Sequence, residues 1–326
     1  MKKVPISLII DDPAPVISVF YEHATNRIMK DGRALVPTYS NDLLFRFCDI
    51  VEERGIKGKF SVVPMPGNKG DILSGLDGVS TADLTTWLDT VKKRIAPRFA
   101  IGPEMLSHNK AVDLATGAAL EMKEDAFAAT QDRTTLTPYI AKALSLLKEA
   151  GFDAYGVTSP WRFGLEVEEE YEAAISQSVY EVTGKREAWF FLRGLRDTPN
   201  AKPWIAREED GQTLVSIPAT TYDRIWQTIS CADTSEEYVL RVADELITED
   251  GKDGEIVRVL ETGGYPIPVT HWQSLMSNGL GTGLRVLDEV ARRVNERLSD
   301  RVEWMSFEEI LALVIADKAA YPKPVF

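Results

Sequence analysis

The sequence predicts an α/β fold: one domain over residues 1–326, built on a parallel sheet that is barrel-like or open. Two observations lead there. Short apolar, β-branched runs alternate with helix-period segments along all 326 residues. No internal repeat interrupts them, and no stretch is rich enough in Pro, Gly or Ser to serve as an interdomain linker.

Taken in order, Ile6-Ser7-Leu8-Ile9-Ile10 reads as a buried strand ending at Asp11-Asp12. A helix from Asn41 to Arg54 is opened by Ser40-Asn41 and stopped by Gly55. The strand Lys59-Phe60-Ser61-Val62-Val63 is halted by Pro64 and Pro66. Ser80-Thr81-Ala82-Asp83 resembles a capping box with Asp in the Glu position, and it opens a helix to about Arg94. Phe99-Ala100-Ile101 is a short strand ending at Gly102-Pro103. A helix runs from Thr137 to Ala150 with Gly151 just past its end, and a strand from Ala154 to Thr158 follows. Next come a helix at Val167 to Val182, strands at Trp189 to Leu192 and Thr213 to Ile217, and a helix at Ser235 to Ile247. A strand near Pro268-Val269-Thr270 precedes a helix at Leu284 to Leu298. Val302-Glu303-Trp304 is the last strand, and Ser306 caps the closing helix Phe307 to Ile315. Thr116 to Arg133 and Arg193 to Gly211 read as long insertions.

Composition narrows the function classes. With 44% hydrophobic and 27% charged residues the chain is an ordinary globular one, which excludes disorder, collagen and coiled coil. No apolar run approaches the ~20 residues of a membrane span, so no membrane partner is expected. Thirty-seven Lys and Arg stand against 50 Asp and Glu, a net charge of −13, and no basic stripe offsets it; nucleic acid is therefore an unexpected partner. Two cysteines make no disulfide framework, and Cys48, inside an apolar run, reads as a small buried hydrophobe. The apolar stretch after Met1-Lys2-Lys3 ends at Asp11-Asp12, too short for a signal peptide. The expected location is cytoplasmic, although a trimmed export signal would leave the same sequence. A homo-oligomer is left open.

Four clusters of chemistry-bearing residues fall at the C-terminal ends of expected strands, the rim where α/β folds gather their sites. Asp11-Asp12-Pro13 is on its own a common strand-ending turn. Glu104 and His108 are four residues apart, the spacing of neighbours on one helical face, where they would share a cation or form a plain surface pair. Thr158-Ser159-Pro160-Trp161-Arg162 is either a turn or an aromatic pocket wall. His271 ends a late strand, where a lone histidine is usually structural. Their joint placement favours a metal site, because two of only three histidines in the chain lie at these ends. His23 is the exception, and a loop-surface role is expected for it. Gly279-Leu280-Gly281-Thr282-Gly283 follows no clear strand, which argues against nucleotide binding.

In this order the motifs resemble the polysaccharide deacetylase superfamily. The resemblance implies a distorted, incomplete (β/α) barrel with long loop insertions. It rests on Ile9-Ile10-Asp11-Asp12, where the first Asp of the family is the general base and the second binds the metal. It rests also on Ile101-Gly102-Pro103-Glu104-Met105-Leu106-Ser107-His108, similar to a motif with two metal-binding histidines, of which His108 is kept and Glu104 replaces the other. Thr158-Ser159-Pro160-Trp161 resembles an Arg-x-Pro-aromatic segment that here lacks its arginine, with Arg162 displaced. Val269-Thr270-His271 resembles the segment that supplies the general acid.

The resemblance thus implies one divalent ion held by Asp12, Glu104 and His108, with Asp11 and His271 as base and acid and Pro160, Trp161, Arg162 and Trp272 around the substrate. An Asp-Glu-His set is harder than Asp-His-His; it permits zinc and moves preference toward manganese, iron or cobalt. The expected activity is metal-dependent hydrolysis of a C–N amide bond in an N-acetylated sugar or a small amide, with a small-molecule or oligosaccharide substrate. Two alternatives stand beside it: a metal-free deacetylase-like pseudoenzyme binding carbohydrate or protein, and a hydrolase using paired carboxylates without a metal.

Overall fold

The computed structural model describes residues 3–198 and 200–324; residues 1, 2, 199, 325 and 326 lie outside the described residues. Strands β1 (Val4–Ile6) and β2 (Leu8–Asp11) lead to the short helix α1 (Val19–His23) and to α2 (Asn41–Arg54). In α2 the buried stripe Leu43, Leu44, Phe47, Cys48 and Val51 follows helical spacing, and Gly55 ends it at φ 68°, a conformation that glycine adopts without strain. Then come β3 (Gly58–Val62), α3 (Thr81–Thr90) and β4 (Phe99–Pro103). The first insertion folds as a hairpin, β5 (Lys110–Val112) with β6 (Ala119–Lys123), followed by α4 (Glu124–Ala128). Helix α5 (Arg133–Glu149), β7 (Gly156–Thr158), α6 (Glu168–Thr183) and β8 (Glu187–Phe191) continue the alternation. The second insertion runs into β9 (Trp204–Glu209), which turns back antiparallel on β10 (Gln212–Ser216). After α7 (Glu236–Leu246) and α8 (Glu255–Glu261) come β11 (Val269–His271), α9 (Trp272–Met276), α10 (Thr282–Arg297), β12 (Val302–Trp304) and α11 (Phe307–Ala316). No helix among the described residues is long and apolar enough to cross a membrane.

Two four-stranded sheets, in the orders β11-β2-β3-β4 and β9-β10-β8-β7, make up the centre. A parallel bridge between Glu104 and Thr158 joins them, so seven parallel strands form one arc. Across the remaining gap Thr220 N donates to Ile267 O (3.0 Å), Ile267 N to Thr220 Oγ1 (2.7 Å) and Thr220 Oγ1 to Tyr265 O (2.8 Å), without a strand ladder among the described residues. The α/β expectation holds; strand pairing does not close the arc into a barrel.

Side chains alternate across the arc with period two. Ile10, Phe60, Ile101, Val157, Phe190 and Leu214 pack into the large cluster under the helices. Ile9, Ala100, Trp189, Val215 and Val269 face inward and pack with Phe307, Ile310, Leu311 and Val314 of α11. Gly156 is required there, because a Cβ would lie 2.1 Å from the Trp189 indole. The register sets the functional rim: His271 pairs with Asp11 and Val62 with Pro103, so the C-terminal strand ends lie level.

Candidate metal centre

Backbone strain concentrates at this rim. Asp12 (φ 67°), Met105 (φ 40°), His108 (φ 50°) and Trp161 (φ 50°) all occupy the left-handed region, which side chains with a Cβ avoid. Such conformations persist only where the surroundings enforce them. For His108 the enforcing group is Glu124 of the first insertion, fully buried, whose carboxylate accepts from the backbone N–H of Leu106 (3.0 Å), Ser107 (3.0 Å) and His108 (2.7 Å) and from the Tyr139 hydroxyl (2.7 Å). Burial pushes the Glu124 carboxyl up, against the pull of those donors. Glu104 and His108 therefore meet across a strained turn, not on a helical face as their spacing alone suggests: four donors drawn to one carboxylate outcompete a helical turn here.

Asp12, Glu104 and His108 converge, each nearly excluded from solvent, with one ligand atom apiece within 4.8 Å of the others. Asp12 Oδ1 lies 2.9 Å from His108 Nε2, and Glu104 Oε1 lies 3.5 Å from the same nitrogen. Two ligands of one tetrahedral ion, each at ~2.1 Å from it, would be ~3.4 Å apart, so the spacing suits a shared cation. The other oxygens are spoken for: Gln273 donates to Asp12 Oδ2, and the Asp12 N–H donates to Glu104 Oε2 (2.7 Å). Asp12 Oδ1, despite its closeness to His108, has no hydrogen-bond partner of acceptable geometry, as expected of an atom aimed at an ion. The donor set fits a divalent metal. Glu104 and His108 are not a plain surface pair, since both are buried, and the nearby Lys110 pairs with Glu121.

The three groups perturb one another's charge. Burial disfavours charge on Asp12, yet His108 holds its carboxyl well below the usual range. Burial likewise works against the His108 imidazolium, and Asp12 and Glu104 overcome it, so the ring titrates well above an ordinary histidine. Glu104 is raised by burial and by the Asp11 and Asp12 charges.

Asp11 and His271 lie beside this cluster and line the same cavity, of about 280 Å³. Lys59, fully buried, donates to Asp11 Oδ1, while Oδ2 has no hydrogen-bond partner among the described residues. His271 Nδ1 lies 2.8 Å from Asp223 Oδ2. Asp223 is fixed in turn by Ser274 Oγ (2.7 Å), Thr270 Oγ1 (3.1 Å) and the Trp226 N–H (3.0 Å). Burial would lower His271, but the Asp223 hydrogen bond and the Asp12 and Asp11 charges prevail and lift it to about 9.

The cavity walls differ in part from the sequence expectation. Trp161 does line it, edge-on to His108 at 4.4 Å between ring centroids. Trp272 does not: it packs in the core against Phe47 (5.5 Å) and Phe60 (5.6 Å), because α9 turns the residue after His271 toward the helices. Arg162 also points away, paired with Glu166 on the surface (2.6 Å), and Pro160 is buried in the turn without reaching the cavity. His23, expected on a loop surface, instead stacks on His108 at 5.1 Å and lines the cavity. Burial and the neighbouring His108 charge lower it to about 4. Sequence reading missed Lys59, Glu124, Asp223, Trp226 and Arg196. Trp226 stands edge-on to His271 at 5.1 Å and joins Trp161 through the rings of Phe20 and His23, and Arg196 of the second insertion is an exposed residue in the cavity lining.

No family model matches the sequence, and no curated protein does. Solved structures do match. A candidate polysaccharide deacetylase from Mycobacterium smegmatis aligns with a TM-score of 0.55 at 14% identity, over 87% of this chain and 80% of that one. A candidate glycoside hydrolase/deacetylase from Parabacteroides distasonis aligns with a TM-score of 0.50 at 11% identity, over 95% of this chain and 70% of that one. The fold is of the polysaccharide deacetylase type. At these identities the deacetylase likeness is one of architecture, and the chemistry must be argued from the side chains.

Proposed function

We propose that this deacetylase-type chain is a metal-dependent hydrolase that cleaves the C–N amide bond of an N-acetylated sugar or a small amide. The observation that carries the reading is the convergence of Asp12, Glu104 and His108, with Asp12 Oδ1 left without a hydrogen bond, in a cavity that also presents Asp11 and His271. A divalent ion held by these three ligands would polarise the acyl carbonyl and acidify a water. Asp11, through its unpartnered Oδ2, takes the proton as the water oxygen adds to the carbonyl carbon. His271 donates its proton to the nitrogen as the C–N bond breaks, leaving a carboxylic acid and an amine. These roles need an ionised acid and a protonated histidine at one pH, and the hold of Asp223 on His271 supplies the second condition.

A cavity of about 280 Å³ is near the low end for small-molecule sites, which favours a small substrate or the end of an oligosaccharide over the middle of a polymer. Trp161 and Trp226, each more than a third exposed, offer apolar faces in the cavity lining for a sugar ring or acyl group.

Elemental analysis of the purified protein, followed by assays on N-acetylated oligosaccharides, long polymers and small amides, tests the reading. One divalent ion per chain and chelator-sensitive release of free amine are expected. Asp11→Asn and His271→Ala should each lower kcat ~10²–10⁴-fold with folding and metal content kept. A protein that neither binds an ion nor cleaves any N-acyl compound would sink the reading in favour of the metal-free binder.

A further inference from the structure

Lys59 stands in an apolar layer. Its register partners on the neighbouring strands are Ile9 and Ala100, and Trp189, Val215 and Val269 complete the inward-facing set. An ammonium buried at such a position is costly unless every proton finds an acceptor. Here each does. The three N–H groups go to Asp11 Oδ1, Ser61 Oγ and Thr158 Oγ1, the last at 2.8 Å. The Ser61 and Thr158 hydroxyls lie 2.8 Å from each other, and the Phe191 ring covers the ammonium from the cavity side with its centroid 4.7 Å from Nζ. The cation is thus anchored on two strands independently of Asp11, and Asp11 is held by it.

Thr158 is also the position where the family resemblance leads one to expect an arginine. Here the cation reaches Asp11 from β3, and position 158 on β7 gives it a hydroxyl acceptor. Asp11, Asp12 and Glu104 bring three carboxylates together, and Lys59 is the fixed cation on the Asp11 side of them.

We propose that Lys59 is a positioning residue for Asp11: it clamps Oδ1 so that Oδ2 alone faces the substrate. The consequence for rate rests on the hydrolase reading above; the consequence for Asp11 geometry does not. Lys59 is fully buried and does not line the cavity, so its loss acts through the orientation of the base. A displaced catalytic group costs ~10²-fold when the shift is about 1 Å.

Three variants test this: Lys59→Met, Lys59→Met/Thr158→Arg, and Thr158→Val, which keeps the charge and removes one anchor. Crystal structures, metal content, melting temperature, kcat and KM are measured for each. In Lys59→Met the Asp11 carboxylate should leave its wild-type orientation, and kcat per metal-loaded molecule should fall ~10²-fold with KM changed less than about threefold. Thr158→Val should lower kcat by a smaller factor, ~3–10-fold. In the double variant a guanidinium at 158, starting 2.8 Å from the ammonium site, should restore the Asp11 orientation and at least about tenfold in kcat. Unchanged kcat per loaded molecule in Lys59→Met would overturn the proposal and leave Lys59 a folding residue, even with a lower melting temperature. An Asp11 carboxylate that keeps its rotamer in that variant would overturn it too, whether or not the wild type proves to be an amidase. Should Lys59→Met not fold, Thr158→Val and the double variant decide by the same two readouts.

Discussion

Asp223→Asn isolates the electrostatic hold on His271. In the wild type, Asp223 faces the ring at 2.8 Å and is oriented by Ser274, Thr270 and the Trp226 N–H. His271 is lifted from 6.5 to about 9, which corresponds to about 3 kcal/mol favouring the imidazolium net of its burial cost. The side chain is 27% exposed, so solvent screening trims this value without abolishing it. Asp223 is the largest of the upward influences, ahead of Asp12 and Asp11. A single opposite charge at this range moves a titration by about 1–3 units, and asparagine removes that charge while keeping shape and one acceptor. His271 should then titrate at least about one unit lower, a loss of about 1.4 kcal/mol. Because the wild-type group is raised, its stabilisation is complete below pH 6.5 and disappears as pH climbs through about 9. The melting penalty of Asp223→Asn should therefore be largest near pH 6 and fade by pH 10. Nitrogen-15 titration of the metal-free protein, with His108→Gln as the variant that removes the other raised ring, reads the site directly, since the chain has only three histidines and His23, lowered to about 4, titrates far from His271. The alkaline limb of kcat should move down by the same amount. A His271 titration unmoved by the substitution, or a melting penalty equal at both pH values, would refute the reasoning.

Metal binding should release protons. Asp12 and Glu104 favour a protonated His108 in the free cluster, and an ion must displace that proton. Calorimetry in two buffers of different ionisation enthalpy should show at least about one proton released per ion, with affinity weakening as pH falls; no release would remove His108 from the ligand set. Glu104→Gln should weaken binding by more than the ~10²-fold that an outer hydrogen-bond partner is worth, as measured by competition with a chelator; unchanged affinity would exclude Glu104. The two tryptophans should separate cleanly. Trp161→Ala should raise KM with little change in melting temperature, whereas Trp272→Ala should cost ~3–5 kcal/mol of stability from the core, read by denaturant unfolding.

The parts of this molecule legible in its sequence are those governed by local rules. Apolar runs of strand length, the Ser and Gly punctuation of α2 and the Ser306 cap all report on their own neighbourhood, and the structure contains each. Asp11, Asp12 and His271 were legible because a parallel strand ends where its apolar run ends, and that end faces the site. Trp272 was misplaced because nothing in a sequence says which way the first turn of α9 rolls. Glu124 and Asp223 left no signal: each acts by receiving N–H and O–H groups from segments that meet only in the folded chain, and a lone acid in a polar stretch looks like any other. Lys59 did leave one. In Lys59-Phe60-Ser61-Val62-Val63 the polar positions alternate with apolar ones inside a strand expected to be buried on both faces, and a lysine there signals a buried acceptor.

That signal bears on the two positions where the chain departs from the family pattern. Glu104 in place of a histidine adds a negative charge to a site that already holds Asp11 and Asp12, and Thr158 in place of an arginine removes a positive one. Both changes push in the same direction, and uncompensated they would leave three buried carboxylates with only the histidines His108 and His271 to balance them. Lys59 restores the balance from the next strand, and the Thr158 hydroxyl, small enough to leave room for the ammonium, accepts its hydrogen bond at 2.8 Å. Positions 158 and 59 thus act on one ammonium site, which holds the cation within reach of Asp11. An arginine at 158 alone, with Lys59 kept, would set two cations against the Asp11 oxygen and should be worse tolerated than the double substitution. This coupling between two residues 99 positions apart is what a double-mutant cycle on stability would register.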